Sequence, residues 1–210
     1  MTALFSTRQP NKLLNVRENL KALSLDTMSN KKKELGMVKR GIYVGRFQPF
    51  HKGHLAVIMD ILKEVDEIII VIGSAQYSHR IDHPFTTGER LTMIHDALKE
   101  AKIPLERCWI IPVPDVHRHM LWVSGVIGYT PKFDVAYAND PLTSRLMKEA
   151  RLKVKPCPFH KRELYSATEV RRRMLEGKNW EMLVPKSVAS YIKKIDGVQR
   201  LQDLNKTDRM

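Results

Sequence analysis

Two short segments of this 210-residue chain carry side chains suited to holding phosphate. The first is Gly45-Arg46-Phe47-Gln48-Pro49-Phe50-His51-Lys52-Gly53-His54. Gly45 lets the backbone turn tightly, Arg46 offers a fixed cationic fork, and Pro49 stiffens the loop. Gly53 allows a nucleotide to come close to the backbone. His51 and His54 stand at i and i+3 of a helix start, so both imidazoles lie on one face and can reach one phosphate. The new helix adds free N–H groups and its positive dipole end. About 110 residues later comes Tyr165-Ser166-Ala167-Thr168-Glu169-Val170-Arg171-Arg172-Arg173. Ser166 and Thr168 sit at another helix N-terminus, and Arg171 lies one turn on, where its guanidinium can reach back to the same anion. Each segment alone also has a plain reading. The histidines could be a metal pair or surface residues, and the arginines a basic solvated face on a capped helix.

These segments must be positioned by the elements around them. Continuous apolar runs at Gly41–Val44, Glu67–Ile72, Cys108–Val113 and Phe133–Ala138, with an edge-like run at Leu152–Lys155, read as strands of a parallel sheet buried on both faces. Helical patterns lie between them at Gly53–Glu64, Thr87–Ala101, Met120–Ile127 and Pro141–Glu149. Thr86 with Glu89 and Ser166 with Glu169 spell capping boxes, and Asp140-Pro141 gives an N-cap with proline at N1. Gly177 closes the helix after Ser166. A final helix spans Pro185–Ile195, and the last residues, 202–210, read as a polar tail. Repeated βα units predict a doubly wound α/β fold with a mainly parallel sheet and a C-terminal helical segment. Ligands in such folds sit at the carboxyl ends of the strands, where both segments fall.

Composition sets outer limits. Apolar residues are 43% of the chain and charged residues 28%, which excludes collagen-like or wholly disordered classes. No apolar run is long enough to cross a bilayer, and no membrane partner is expected. Two cysteines, Cys108 and Cys157, make no disulfide framework and no zinc pair, which suits a reducing, cytoplasmic setting. The net charge of +13 favours anionic partners. Residues 1–36 carry Lys31-Lys32-Lys33 and no sustained hydrophobic period, and are expected to be a disordered or dispensable basic extension. Residues 37–201 are expected to form the folded domain that carries both segments. Interleaved surface aromatics of the kind that bind single strands are missing, so no specific nucleic-acid partner is expected.

Taken together, the two segments resemble the HxGH nucleotidyltransferase superfamily, with Ala167 standing where that pattern has a second serine. The sequence between them includes Gly73-Ser74-Ala75-Gln76-Tyr77-Ser78, Pro84-Phe85-Thr86-Thr87-Gly88-Glu89-Arg90, Ile111-Pro112-Val113-Pro114-Asp115, Leu121-Trp122 and Tyr137-Ala138-Asn139-Asp140-Pro141. From about Lys39 to about Leu201 this series is similar to the archaeal-type nicotinamide-nucleotide adenylyltransferases. The resemblance implies a Rossmann-like nucleotidyltransferase fold and the reaction of ATP with nicotinamide mononucleotide (NMN) to give NAD⁺ and pyrophosphate. It also implies nicotinate mononucleotide (NaMN) as a second acceptor, Mg²⁺ carried on ATP rather than on protein side chains, and a homo-oligomer such as a hexamer.

Residue by residue, the resemblance implies His51, His54 and Arg171 as catalytic phosphate ligands. ATP and its phosphates would also meet Gly45, Arg46, Phe47, Gly53, Arg80, Ser166 and Thr168. The nicotinamide nucleotide would meet Gly73, Ser74, Asp115, Trp122 and Asn139, with the Trp122 indole stacked on the ring. Residues Ser78–Asp82 depart from the family pattern, and His119 stands where an asparagine is expected. A sister enzyme acting on phosphopantetheine or FMN is the alternative acceptor reading.

Overall fold

The computed structural model describes residues 38–116, 118–157 and 164–207. The expected extension 1–36, and the side chain of His119, lie outside the described residues. A buried inner strand explains much of the architecture. β2 (Glu67–Ile72) reads EIIIVI, and Ile68 to Ile72 are all 0% exposed. Alternate residues of a strand face opposite ways, so β2 seeds two cores. Ile68, Ile70 and Ile72 pack with Ile58, Ile61, Met93 and Val188 on one face. Ile69 and Val71 pack with Val123, Val126 and Met147 on the other.

β1 (Arg40–Gly45) pairs with β2 on one side and with β4 (Val135–Tyr137) on the other, all parallel. β3 (Cys108–Pro112) and β5 (Val154–Lys155) complete the sheet in the order β3-β2-β1-β4-β5. The helices are α1 (Lys52–Glu64), α2 (Thr87–Glu100), α3 (His119–Tyr129), α4 (Pro141–Glu149), α5 (Ala167–Leu175), α6 (Lys186–Lys194) and α7 (Gly197–Thr207). The strand order reverses between β1 and β4, which puts a crevice outside their carboxyl ends.

Several boundaries rest on caps. Thr86 and Glu89 form the full reciprocal box at α2, and the Asp140 carboxylate accepts the Thr143 N–H ahead of α4. Gly177, at φ 64, ends α5 in the left-handed region. Two expectations need correction. The box at α5 is half made: Ser166 accepts the Glu169 N–H, but the Glu169 carboxylate turns to Arg172 and Arg173. The polar tail expected at 202–210 is helical as far as Thr207, in α7. Its apolar stripe is short, with Leu201 at 0% exposure, and the rest of its surface is polar. Arg200 on the same helix grips Glu89 with two bonds of 2.7 and 2.8 Å. Residues 208–210 lie outside the described residues. No helix among the described residues is long and apolar enough to cross a membrane.

Candidate phosphate and nucleotide site

At the crevice between the ends of β1 and β4 lies a cleft of about 340 Å³, in the range that holds a nucleotide. Of the residues singled out from the sequence, it gathers Arg46, Phe47, His51, Gly53, His54, Asn139, Ser166, Thr168 and Arg171. The two segments, far apart in the chain, therefore share one cavity.

His51 caps α1, and the two histidines hold each other. His51 Nδ1 accepts the His54 N–H, and His54 Nδ1 accepts the His51 N–H, each at 3.3 Å. The rings stack with centroids 3.5 Å apart and planes 19° apart. Because both Nδ1 atoms accept, the ring protons sit on Nε2, leaving two parallel N–H donors beside the cleft. Phe47 lies edge-on to His54 at 4.8 Å and Phe50 lies at 5.4 Å, so the imidazoles rest on an aromatic floor. Burial lowers the His51 pKa to about 3. Burial, and then the neighbouring His51, hold His54 well below its ordinary value. Both rings are neutral donors near pH 7.

This has a consequence for stability. Between about pH 3 and the unfolded value of about 6.5, the unfolded chain binds more protons than the folded one, so stability rises with pH. The contribution is fully present above pH 6.5 and is lost as the pH falls. Thermal melts should drop steadily from pH 7 to pH 4.5, and His51→Asn should flatten that slope. An unchanged slope in the variant would contradict the assignment of buried neutral imidazoles.

At the same cleft, Arg171 donates from Nη1 to the Gln48 carbonyl at 2.7 Å. Burial lowers its pKa first, the like charge of Arg46 lowers it further, and Asp82 opposes both. Two cations held together at one cavity call for an anion. Arg172 and Arg173 instead pair with Glu169, and those bonds pull the Glu169 carboxyl down to about 2. The Ser166 Oγ caps α5 at 3.1 Å from the Glu169 N–H, with its own proton free to be donated.

Gly53 lines the cleft, and its missing side chain also makes room within the protein. A Cβ there would lie 2.9 Å from the Tyr165 Cβ and 3.1 Å from the His51 ring. The missing side chain lets the two phosphate segments touch. Gly45 does the same for Phe47, whose ring a Cβ would meet at 2.7 Å. Phe47 is 1% exposed, and its side chain supports His54 from below.

A second group lies at the ends of β2 and β3, outside that cleft. Asp115 accepts the Ser74 N–H at 3.2 Å and the Ser74 hydroxyl at 2.5 Å. Gln76 bonds both backbone groups of Asp115, at 3.0 and 2.9 Å. Gly73 donates its N–H to the Gly45 carbonyl at 2.9 Å, joining this group to the first loop. Trp122 is half-buried on α3 and packs against the Ile69–Val71 core.

Two expected residues stand elsewhere. Asn139 lines the phosphate cleft, and its amide closes two bonds of 2.9 Å with the Cys157 backbone. These two bonds continue the β4–β5 ladder and leave the amide a second N–H. Arg80 is 60% exposed, lies over the Tyr77 ring at 5.4 Å and beside Asp82 at 3.7 Å, and does not line the cleft. The chain Ser78–Asp82 folds on itself there and keeps Arg80 on the surface.

Two residues not singled out hold the site together. Gln48 is 1% exposed and its amide bonds both backbone groups of Phe85, at 2.9 and 3.0 Å. Arg90 is 0% exposed and donates to carbonyls of both loops. Cys157 also lines the cleft, but burial pushes its thiol up to about 12, so it is no nucleophile. Among the described residues, no group of three or more His, Cys, Asp or Glu converges to hold a metal ion.

Residues 42–173 match the family model described as cytidylyltransferase-like. The chain is 51% identical over 169 residues to a nicotinamide-nucleotide adenylyltransferase of Methanosarcina mazei, covering 80% of this chain and 96% of that one. It is 50% identical over 172 residues to the enzyme of that name from Archaeoglobus fulgidus, covering 80% and 99%. Among solved structures it is similar to a bifunctional NMN adenylyltransferase/ADP ribose pyrophosphatase from Francisella tularensis, with TM-score 0.69 and 26% identity. That match covers 81% of this chain and 54% of the larger one, which has also been solved with AMP and a manganese ion.

Proposed function

The chain belongs to the cytidylyltransferase-like family and, within it, to the nicotinamide-nucleotide adenylyltransferases; from this premise we propose how its residues perform adenylyl transfer from ATP to NMN, giving NAD⁺ and pyrophosphate. The observation that carries the residue assignment is the stacked, neutral His51–His54 pair lining one cleft with Arg46 and Arg171.

The NMN phosphate, with a second pKa near 6 like other phosphomonoesters, is largely dianionic at neutral pH and needs no base. One of its oxygens attacks the α-phosphorus of ATP in line. A new P–O bond forms as the bond to the β-phosphate oxygen breaks, and pyrophosphate leaves. The Nε2–H groups of His51 and His54 hold the α-phosphate oxygens, where charge builds in the transition state. Arg171 and Arg46 hold the departing pyrophosphate. Ser166, Thr168 and the start of α5 add donors. Asp115, Ser74 and Trp122 hold the nicotinamide end, beyond the loop joined to the first by the Gly73–Gly45 bond. The work is positioning and charge stabilisation.

A divalent cation enters with ATP as part of the substrate, and Mg²⁺ is the proposed ion. Two arginines and two neutral imidazoles make a lining suited to a metal–nucleotide complex rather than to a bare cation. NaMN is the proposed second acceptor. The active form is a homo-oligomer, with the hexamer of the family resemblance as its proposed size. The exposed apolar side chains of Leu121, Ile127 and Tyr129 on α3, at 52, 47 and 57% exposure, support such burial between copies. The cytoplasm, where nucleotides are made, is the proposed setting.

The test is pyrophosphate release from purified protein given ATP and Mg²⁺ with NMN, NaMN, phosphopantetheine or FMN as acceptor. Release is expected with both pyridine nucleotides. Release only with phosphopantetheine or FMN would keep the phosphate site and overturn the assignment of Asp115 and Trp122.

A further inference from the structure

Arg90 is a long cationic side chain at 0% exposure, and no carboxylate among the described residues forms an ion pair with it. Its guanidinium is solvated by backbone carbonyl dipoles in place of water. Nη1 donates to the carbonyls of Arg46 at 3.0 Å and Gly73 at 2.9 Å. Nη2 donates to the Ser74 carbonyl at 3.1 Å and to the Thr87 Oγ1 at 3.0 Å. Thr87 passes its own proton to the Ala75 carbonyl. One side chain on α2 thus grips the loop after β1 and the loop after β2 together.

The gripped carbonyls flank two strained positions. Phe47 has φ 53 and Ser74 has φ 50, left-handed values at residues that carry a Cβ. Such backbone costs energy and persists only where its surroundings hold it. The Arg46 carbonyl belongs to the peptide entering Phe47, and the Gly73 and Ser74 carbonyls lie on either side of Ser74. In a planar trans peptide the N–H points away from the C=O. With the Gly73 oxygen on Arg90, the Ser74 N–H is aimed at Asp115. With the Ser74 oxygen on Arg90, the Ala75 N–H meets the Val113 carbonyl at 3.3 Å. Burial lowers the guanidinium to about 10, against the pull of Asp115, so it stays charged at neutral pH.

We propose that Arg90 is a positioning residue for adenylyl transfer: it sets the left-handed turn at Ser74, and so fixes the acceptor group Ser74–Asp115 in register with the phosphate loop, whose Arg46 carbonyl it also holds. This rests on the functional reading above. The histidine pair is held by its own reciprocal caps and Arg171 by Gln48, so ATP binding does not depend on Arg90 in the same way. Loss of the fork releases the Ser74 turn, while the reciprocal histidine caps and the Arg171–Gln48 bond still hold the donor side.

Arg90→Lys keeps a cation but replaces five fixed donors by three on one nitrogen. The assay is NAD⁺ formation from NMN and ATP, read beside thermal melts and ATP titration. The variant should lose about 50-fold in kcat and raise KM for NMN about fivefold, with ATP affinity within about twofold of the parent. A kcat per folded molecule within about twofold of the parent, or equal weakening of ATP and NMN, would overturn the assignment. If Arg90→Lys fails to melt cooperatively, the same ratio is read in Thr87→Val, which removes one acceptor of the fork. There a fall of about fivefold in kcat is expected, and an unchanged kcat overturns the proposal. The parent is the control for the reading beneath it. A parent that makes no NAD⁺ overturns that reading, whereas an active parent with an equally active variant overturns Arg90 alone.

Discussion

His54→Ala should lower kcat by about 10³-fold, the usual cost of removing one donor from developing oxyanion charge, while the protein still melts cooperatively. His54 supplies one of two Nε2–H donors and, through Nδ1, accepts the His51 N–H at 3.3 Å. Losing that half of the cap costs about 1 kcal/mol, a small fraction of the stability of a domain this size. His51 keeps its own place, since its Nδ1 still accepts the backbone N–H of residue 54. The effect therefore falls on turnover rather than on folding. Turnover of His54→Ala equal to that of the parent would remove the histidine pair from the mechanism.

Gly53→Ala should destabilise the protein and slow it about 10²-fold, the penalty of a misplacement near 1 Å. Two effects compete. At an ordinary helical position, alanine stabilises by roughly 0.5–1 kcal/mol over glycine. Here the added Cβ meets the Tyr165 Cβ at 2.9 Å and the His51 ring at 3.1 Å. The tyrosine atom rides on the backbone entering α5 and cannot swing aside. Overpacking of that kind costs about 1–3 kcal/mol, so it outweighs the propensity gain. The two phosphate segments are pushed apart where they touch. A lower melting temperature with a much lower kcat is expected, and a rise in melting temperature would show that the contact is not tight.

Much of this architecture was legible from periodicity and caps. The β-branched run gave β2 its bounds, Glu67–Ile72, and Asp140-Pro141 gave the start of α4. Both signals are local, and neighbours in sequence decide them. What escaped depends on partners far along the chain. Leu201 is buried by elements that precede it, and a short stripe on a polar helix gives a weak period. Glu169 sits three residues after Ser166, as a box requires, yet two nearby arginines outbid the backbone for its carboxylate. The phosphate cleft was visible because its ligands cluster in two segments at strand ends. Its supports were not. Gln48 and Arg90 are polar residues in polar surroundings of sequence, and only the meeting of two loops buries them. Asn139 stands after β4 as expected, and what the sequence hid is that its amide also carries the β4–β5 ladder.

In the proposed reaction the NMN phosphate attacks the α-phosphorus of ATP, with His51 and His54 on that phosphate. The most direct measurement gives the purified chain Mg²⁺, NMN and ATP labelled at the α-phosphate, and follows where the label goes. Label is expected in NAD⁺, none in pyrophosphate, and labelled product is lost in His54→Ala. Labelled product absent with NMN, or undiminished in His54→Ala, would contradict it.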